Sequence, residues 1–283
     1  MHTARASIIM LTFNRPQYIS RAIESVLRQT VADWELIVVH DGPSREIEEI
    51  LRAWEAREPR VRYFRREQWG NIAEATNFGI RQARGSYVGV LDDDDYWRVP
   101  DKLERQIQFL DEHAEYVACG GGAVCIDEDN RELMSYLKPE HDPEIKARAL
   151  LANPMVHSTI LYRREVAERA GFYDETLAGF QDWDFCLKLG QLGKLYNFPE
   201  HFLAYQIWEG GGSFDAQKRN TASALRIVRR HGKVYRGYSA ALAMACSYYL
   251  YARLPIAFRR LTFSGLTRMK KALFSHREGR AGD

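Results

Sequence analysis

Short apolar runs alternate with segments of helical periodicity through the first hundred residues. Ser7–Leu11 is a β-branched and apolar run closed by the polar loop Thr12–Arg15. Pro16 suits the first position of a helix, where its missing N–H costs nothing. Ile19, Ala22, Ile23, Val26 and Leu27 then follow at helical spacing. Leu36–Val39 is a second buried-strand run and ends at Asp41-Gly42. Ile47, Ile50, Leu51 and Trp54 recur at intervals of three and four, which predicts a helix with one buried face. Val61–Phe64 reads as a third strand, Ile72–Ala83 as a helix closed near Gly85, and Tyr87–Leu91 as a fourth strand. This alternation predicts an α/β chain with a mostly parallel, doubly wound, Rossmann-like sheet flanked by helices. Such sheets bind ligands beyond the carboxyl ends of their strands. Thr12–Arg15, Asp41-Gly42 and Asp92–Asp95 all fall at those ends.

The middle third is less regular. Tyr116–Ile126 and Leu133–Leu137 flank the turn-like Asp127–Asn130 and predict a hairpin. Val156–Tyr162 reads as a strand, and Arg163–Ala170 as a helix that Gly171 terminates. Asp182–Leu192 reads as another helix, followed by Gly193, and Leu203–Trp208 as a strand leading into Gly210–Gly212. From Phe214 to about Phe274 the pattern is helical, with breaks near Gly232, Gly237 and Pro255. The expected division is a catalytic domain over 1–213, with halves of about 1–100 and 101–213, and a helical C-terminal extension over 214–283.

Composition narrows the function classes. A chain of 283 residues, 46% hydrophobic and 28% charged, has the make-up of a folded globular protein. A net charge of +2 is too small for nucleic-acid binding across the surface, so no nucleic-acid partner is expected. The four cysteines form no C-x-x-C pair, and the chain shows neither a signal-peptide layout nor a run of ~18 apolar residues. A reduced, cytoplasmic protein is the expectation.

The acidic run carries the candidate chemistry. Four consecutive aspartates, Asp92 to Asp95, lie between a buried strand and Tyr96-Trp97. Neighbouring carboxylates repel, so one or more takes up a proton unless a cation compensates. Magnesium and manganese are hard ions that bind through one or two Asp residues plus phosphate oxygens. The alternative is a solvated acidic loop, with Asp95 or Asp101 capping the helix that contains Leu103 and Leu110.

The segments SIIMLTFNRP, ADWELIVVHDGPS, RVRYF, ATNFGIRQARGSYVGVLDDDDYWRVPDKL and GFQDWDFCLKL, in order from about residue 5 to about residue 213, resemble family-2 glycosyltransferases of the GT-A fold. One acidic motif is weak evidence, whereas five ordered segments are strong together. The resemblance implies inverting transfer from a nucleotide-sugar donor with Mn2+ or Mg2+ as the cofactor. By it, Asp92, Asp93 and Asp94 cover the family's D-x-D element. Asp94 is assigned the metal, Asp92 or Asp93 the donor ribose, and Asp95 a helix cap. Asp41 takes the position where the family's turn meets the nucleobase. A carboxylate there accepts a base N–H, which favours a UDP- or dTDP-linked sugar, and Gly42 permits the tight turn. A plain Asp-Gly turn explains the same pair. Thr12, Phe13 and Arg15 line this edge as further donor contacts, with pairing to a surface acid the alternative for Arg15. His40 stands where Asp is more usual, and Thr76 where Arg is frequent. Asn77 matches and reads as a tie for loop backbone.

An inverting transfer needs a base for the acceptor hydroxyl. Within Gln181-Asp182-Trp183-Asp184, the resemblance puts Asp182 at the catalytic position, with a helix N-cap as the alternative. Asp184 points elsewhere on the helix, and Gln181 replaces a frequent Glu. His157 falls where relatives carry a polar residue facing the diphosphate or acceptor, or is simply structural. Tyr205-Gln206-Ile207-Trp208 lacks the Arg and His of the family's matching stretch. Asp94 and diphosphate oxygens then carry most of the metal binding, and Trp208 is free to stack on a sugar. Gly210–Gly212 beside it is either a mobile lid or a plain linker.

Basic residues gather after about residue 218. Around Arg253, Arg259, Arg260, Arg268, Lys270 and Lys271 they suit an anionic membrane surface and a glycolipid or lipid-linked acceptor. Packing on the catalytic domain or on a second subunit of a homo-oligomer is the alternative, and a glycan or small molecule the other acceptor. Two rivals to a transferase stand. One is a sugar nucleotidyltransferase, although Thr12–Pro16 lacks that class's Gly-rich phosphate loop. The other is a catalytically silent nucleotide-sugar module, favoured by the departures at 76, 206 and 208.

Overall fold

The structure is a computed structural model that describes residues 4–66, 71–207 and 214–254, with backbone alone for 214–219. Trp208, Gly210–Gly212, Gln68-Trp69-Gly70 and the basic residues after 254 lie outside the described residues.

The alternation read from the first hundred residues is the alternation observed. Strand β1 (Ala6–Thr12) leads to helix α1 (Pro16–Leu27), β2 (Trp34–His40) to α2 (Arg45–Arg57), and β3 (Val61–Arg65) to α3 (Ile72–Gln82), followed by β4 (Tyr87–Val90). Pro16 opens α1, and Ser44 and Asn71 cap α2 and α3 by accepting from the Ile47 and Glu74 amides. Strand β2 pairs with β1 and β3, and β1 with β4, all parallel. Period-two alternation divides the side chains between two cores. Ile8, Met10, Leu36 and Val38 meet α1 and α2 on one face, while Ile9, Ile37 and Val39 meet α3 on the other.

Beyond β4 the sheet is mixed. Two-residue β5 (Tyr96–Trp97), α4 (Lys102–Glu112), β6 (Tyr116–Ile126) and β7 (Glu132–Tyr136) come next, followed by α5 (Asp142–Arg148). A 3-10 turn (His157–Thr159), β8 (Leu161–Arg163), α6 (Arg164–Arg169), α7 (Gln181–Leu192) and β9 (Lys194–Gln206) complete this half. The strand order is β3-β2-β1-β4-β8-β6-β9-β5, with β7 on β6. Strand β8 runs antiparallel to β4 and β6, β5 antiparallel to β9, and β6 parallel to β9. The expected hairpin is β6–β7, turning at Asn130 in the left-handed region (φ 61°).

Two local readings need correction. The strand expected over 156–162 begins only at Leu161, after the 3-10 turn, because Thr159 Oγ1 donates to the Val156 carbonyl and accepts from the Gly121 amide. Such side-chain bonds compete with a ladder. The last strand begins at Lys194 rather than Leu203, and the β6–β9 register shifts at Gly120/Gly122, opposite Pro199. A proline inside a strand is tolerated at such an irregularity. Gly193, which follows α7, adopts extended backbone, and a Cβ there would lie 2.2 Å from Val117 Cγ1, so close packing accounts for it. Gly171 does end α6 with φ 73°.

Helices α8 (Phe214–His231) and α9 (Tyr238–Tyr251) pack against α7. Ile227, Val228, Tyr235, Ala241 and Ala245 share one core with Trp183 and Leu187. Among the described residues no helix is long and apolar enough to cross a membrane.

Candidate active site

Strand β4 delivers the acidic turn to the carboxyl edge of the sheet, beside the ends of β1 and β2. Asp93 is fully buried, and its carboxyl is pushed up to about 7. Burial is the main cause, opposed by Arg15 and reinforced by Asp94 and Asp92. Asp95 is raised well above the carboxylate range, again by burial first and then by Asp92 and Asp94. The repulsion expected of four adjacent carboxylates is therefore present in the fold.

Arg15, at the N-cap of α1, answers it. Its Nη1 donates to Asp94 Oδ2, and its Nε lies 3.3 Å from Asp93 Oδ1. Burial works against the guanidinium charge, but Asp93, Asp94, Asp92 and Asp95 outweigh it and raise its pKa. Pairing with a surface acid, the alternative for Arg15, is thereby replaced by pairing inside the site.

Asp92 is held by Ser158, whose Oγ donates to Asp92 Oδ2 at 3.0 Å. The indole of Trp97 donates to the Ser158 carbonyl at 2.7 Å, so β5 supports the same corner. Asp95 is not the helix cap expected of it. Helix α4 starts at Lys102, and Asp95 Oδ1 accepts from the Gln206 amide at 2.9 Å, tying the turn to the end of β9. Asp101 occupies the N-cap of α4 without a side-chain capping bond.

At the adjoining edge the Asp41 amide donates to the Thr12 carbonyl at 2.9 Å, and Arg66 Nη1 lies 3.2 Å from Asp41 Oδ1. Gly42 is required by close approach, since a Cβ would lie 2.3 Å from the Phe13 carbonyl oxygen. Thr12 is buried, whereas the Phe13 ring is exposed. His40 is buried with Nδ1 3.5 Å from the Tyr63 hydroxyl, and its pKa is lowered by burial and then by Arg65.

Asp182 is the second residue of α7, whose N-cap is Phe180 at φ 58°. Asn153 donates to Asp182 Oδ2 at 2.6 Å, and its own Oδ1 accepts from the Met155 amide at 3.3 Å, which fixes the amide's orientation. Asp184 turns away to Lys188, Arg230 and His231 at 3.2, 2.8 and 2.9 Å. His157 Nε2 lies 3.0 Å from the hydroxyl of buried Tyr173. That phenol is raised well above its ordinary value, by burial first and with smaller effects from several neighbours that include both Asp182 and Asp92. The candidate base and the acidic turn thus both act electrostatically on this phenol. Asn77 ties the loop as expected, donating to the Tyr173 carbonyl at 2.9 Å and accepting from its amide at 3.0 Å. Thr76, in the place of the frequent Arg, donates to the Ile72 carbonyl within α3.

Asn153, Ser158, Arg21 and Gln206 touch the site but escaped the sequence reading. Only Gln206 had a sequence signal, as a departure from the resembled family's pattern. A divalent cation fits the residues present. The donor set is hard carboxylate oxygen, and Asp93 and Asp94 already converge on a cationic group, Arg15. Among the described residues no three metal-ligating side chains cluster.

An open α/β sheet with helices on both faces and an acidic turn at its carboxyl edge matches the GT-A architecture that the sequence resemblance implies. The sequence model of Glycosyl transferase family 2 matches residues 7–171, more than half of the chain, and the chain belongs to this family of glycosyltransferase enzymes. An uncharacterized glycosyltransferase of Methanocaldococcus jannaschii is 28% identical over 232 residues, covering 80% of this chain and 79% of the relative. The crystal structure of S. aureus TarS 1-349 in complex with UDP has a TM-score of 0.63 at 18% identity, covering 97% of this chain and 76% of that one. The mannosyltransferase PcManGT from Pyrobaculum calidifontis, in complex with GDP-Man and Mn2+, has a TM-score of 0.64 at 16% identity, covering 94% and 80%. At these identities the two structures show a shared GT-A fold.

Proposed function

We propose that the protein is an inverting glycosyltransferase that moves a sugar from a UDP- or dTDP-linked donor to an acceptor hydroxyl of a glycan, glycolipid or lipid-linked intermediate. The observation that carries this reading is the turn Asp92–Asp95 at the carboxyl end of β4, where Asp93 and Asp94 converge on a cation. Asp94 and the donor diphosphate would hold Mn2+ or Mg2+, Asp92 or Asp93 the ribose, and Asp41 a base N–H. Thr12, Phe13 and Arg15 line the nucleotide. The UDP bound to TarS and the Mn2+ bound to PcManGT support the donor class and a metal of this kind.

Asp182 would act as general base. The acceptor oxygen attacks the anomeric carbon as its bond to the diphosphate breaks, and the hydroxyl proton passes to the Asp182 carboxylate. Asn153 holds one oxygen of that carboxylate, leaving the other for the acceptor. A bound divalent cation neutralises charge growing on the departing diphosphate. With Asp94 on such a cation, Arg15 would be available to the donor phosphates. In this reading residues 1–213 are the catalytic unit and 214–283 an extension, whose exposed Leu250 and Leu254 suit a membrane surface carrying the acceptor.

Thermal-shift measurements with a panel of nucleoside diphosphate sugars, with and without manganese, test the donor site. Stabilisation by one uridine or thymidine donor, dependent on metal, is expected. In transfer assays Asp182→Asn should abolish turnover while nucleotide binding survives. Retained turnover would remove Asp182 from its role, and binding without turnover in the wild type across all donors and acceptors would favour a silent nucleotide-sugar module.

A further inference from the structure

Arg21 lies inside α1, two turns on from Arg15, and reaches the acidic turn from the other side. Its Nη2 donates to the Asp94 carbonyl at 2.9 Å and to Gln206 Oε1 at 3.1 Å, and its Nη1 donates to Asn130 Oδ1 at 2.5 Å. The guanidinium carbon sits 4.7 Å from the Tyr96 ring centroid and 5.1 Å from that of Tyr18. One planar fork therefore joins four parts of the molecule: α1, the acidic turn, the end of β9 and the β6–β7 hairpin. The Gln206 amide returns to the same turn through Asp95 Oδ1.

Asp94 is thus gripped twice by one short stretch of chain. Arg15 holds its carboxylate, where a metal would compete. Arg21 holds its carbonyl, where no metal competes, and so fixes the peptide plane that aims the carboxylate. Only a guanidinium offers several donors in a fixed plane together with a face that stacks on aromatic rings.

We propose that Arg21 is the positioning residue of the metal-binding turn, and that through Asn130 and Gln206 it couples that turn to the hairpin and to the end of β9. The proposal rests on the reading of Asp94 as the metal-binding residue.

The test measures free Mn2+ by electron paramagnetic resonance during titration of the full-length chain with UDP present, and UDP binding by calorimetry without metal. Outer-shell partners of a metal ligand typically carry ten-fold or more in affinity. Arg21→Ala should raise half-saturation by Mn2+ by about tenfold, a larger change than in metal-free UDP binding. Arg21→Lys, which keeps charge and fold but loses the fork, should shift it in the same direction, as should Asn130→Ala to a smaller extent. Arg21→Ala combined with Gln206→Ala should be less than additive, because both act through one contact. Wild-type half-saturation in Arg21→Lys, or a folded Arg21→Ala within twofold of wild type, overturns the proposal. Absence of UDP-linked Mn2+ binding in the wild type instead overturns the reading of Asp94 and this inference with it.

Discussion

At the scale of single residues, Arg15 is the most informative side chain. It shares Asp93 and Asp94 with any cation that binds there. Removing it takes away a competing positive charge and leaves the carboxylates more repulsive, and both changes favour a divalent ion. Arg15→Ala should therefore tighten Mn2+ binding in the absence of nucleotide while raising KM for the donor. Calorimetric titration with Mn2+ alone checks the first half, and weaker binding there would mean that Arg15 is not the competitor. Residue-level legibility was uneven. The crowding of Asp92–Asp95 is written in adjacent positions, so repulsion was foreseeable from residue order alone. The bond from Asn153 to Asp182 spans 29 positions and that from Arg21 to the Asp94 carbonyl 73, and no local pattern announces either.

At the scale of elements, α7 joins the site to the C-terminal helices. Its first turn carries Asp182, and its buried face carries Asp184, which meets Arg230 and His231 of α8. Burial alone would raise the Asp184 carboxyl. The His231 hydrogen bond, with Lys188 and Arg230, outweighs it and holds the carboxyl below its ordinary range. Removing Asp184 takes the carboxylate from buried His231 and from Lys188, while Arg230 keeps its second partner Asp174 at 2.6 Å. Asp184→Ala should cost about 3 kcal/mol, the low end of the usual range because Arg230 is partly exposed. A fall in the urea midpoint, with faster proteolysis within α8, is the expected result. An unchanged midpoint would show that the apolar contacts of Trp183, Leu187, Ile227 and Val228 suffice. The elements themselves were largely legible where periodicity was strong. The readings failed at 156–162, where Thr159 bonds backbone in place of a ladder, and at 194–202, where Pro199 hid a strand.

At the scale of the whole molecule, two cores sandwich the sheet, and a lysine amine is buried beside one of them. Lys102 of α4 is fully buried with its Nζ 3.8 Å from the Trp97 ring centroid and 2.6 Å from Gln106 Oε1. Burial lowers its pKa to about 7. Unfolded, the group titrates near ~10.4. Between those values the unfolded chain binds more protons, so this group makes stability fall as pH drops from about 10 to about 7. Lys102→Met removes that dependence. The variant should gain on the wild type in denaturant midpoint at about pH 7 and lose that gain by about pH 10. A difference that does not change with pH would mean that the Trp97 face keeps the ammonium charged in the fold. What the sequence by itself determined was the alternation of β1 to β4 with their helices, and hence the edge where Asp41 and the aspartate run emerge. Those depend on periods of two and 3.6 residues, which are local. Only the tertiary structure decided who answers the charge at that edge: Arg15 on the carboxylates, Arg21 and Gln206 on the turn, and Asn153 on Asp182. Arg15 and Arg21 meet the turn within the first half, Asn153 and Asp182 meet within the second, and the contact between Arg21 and Gln206 joins the two across 185 positions of chain. Strand order and packing fix a separation of that size, which sequence periodicity does not record.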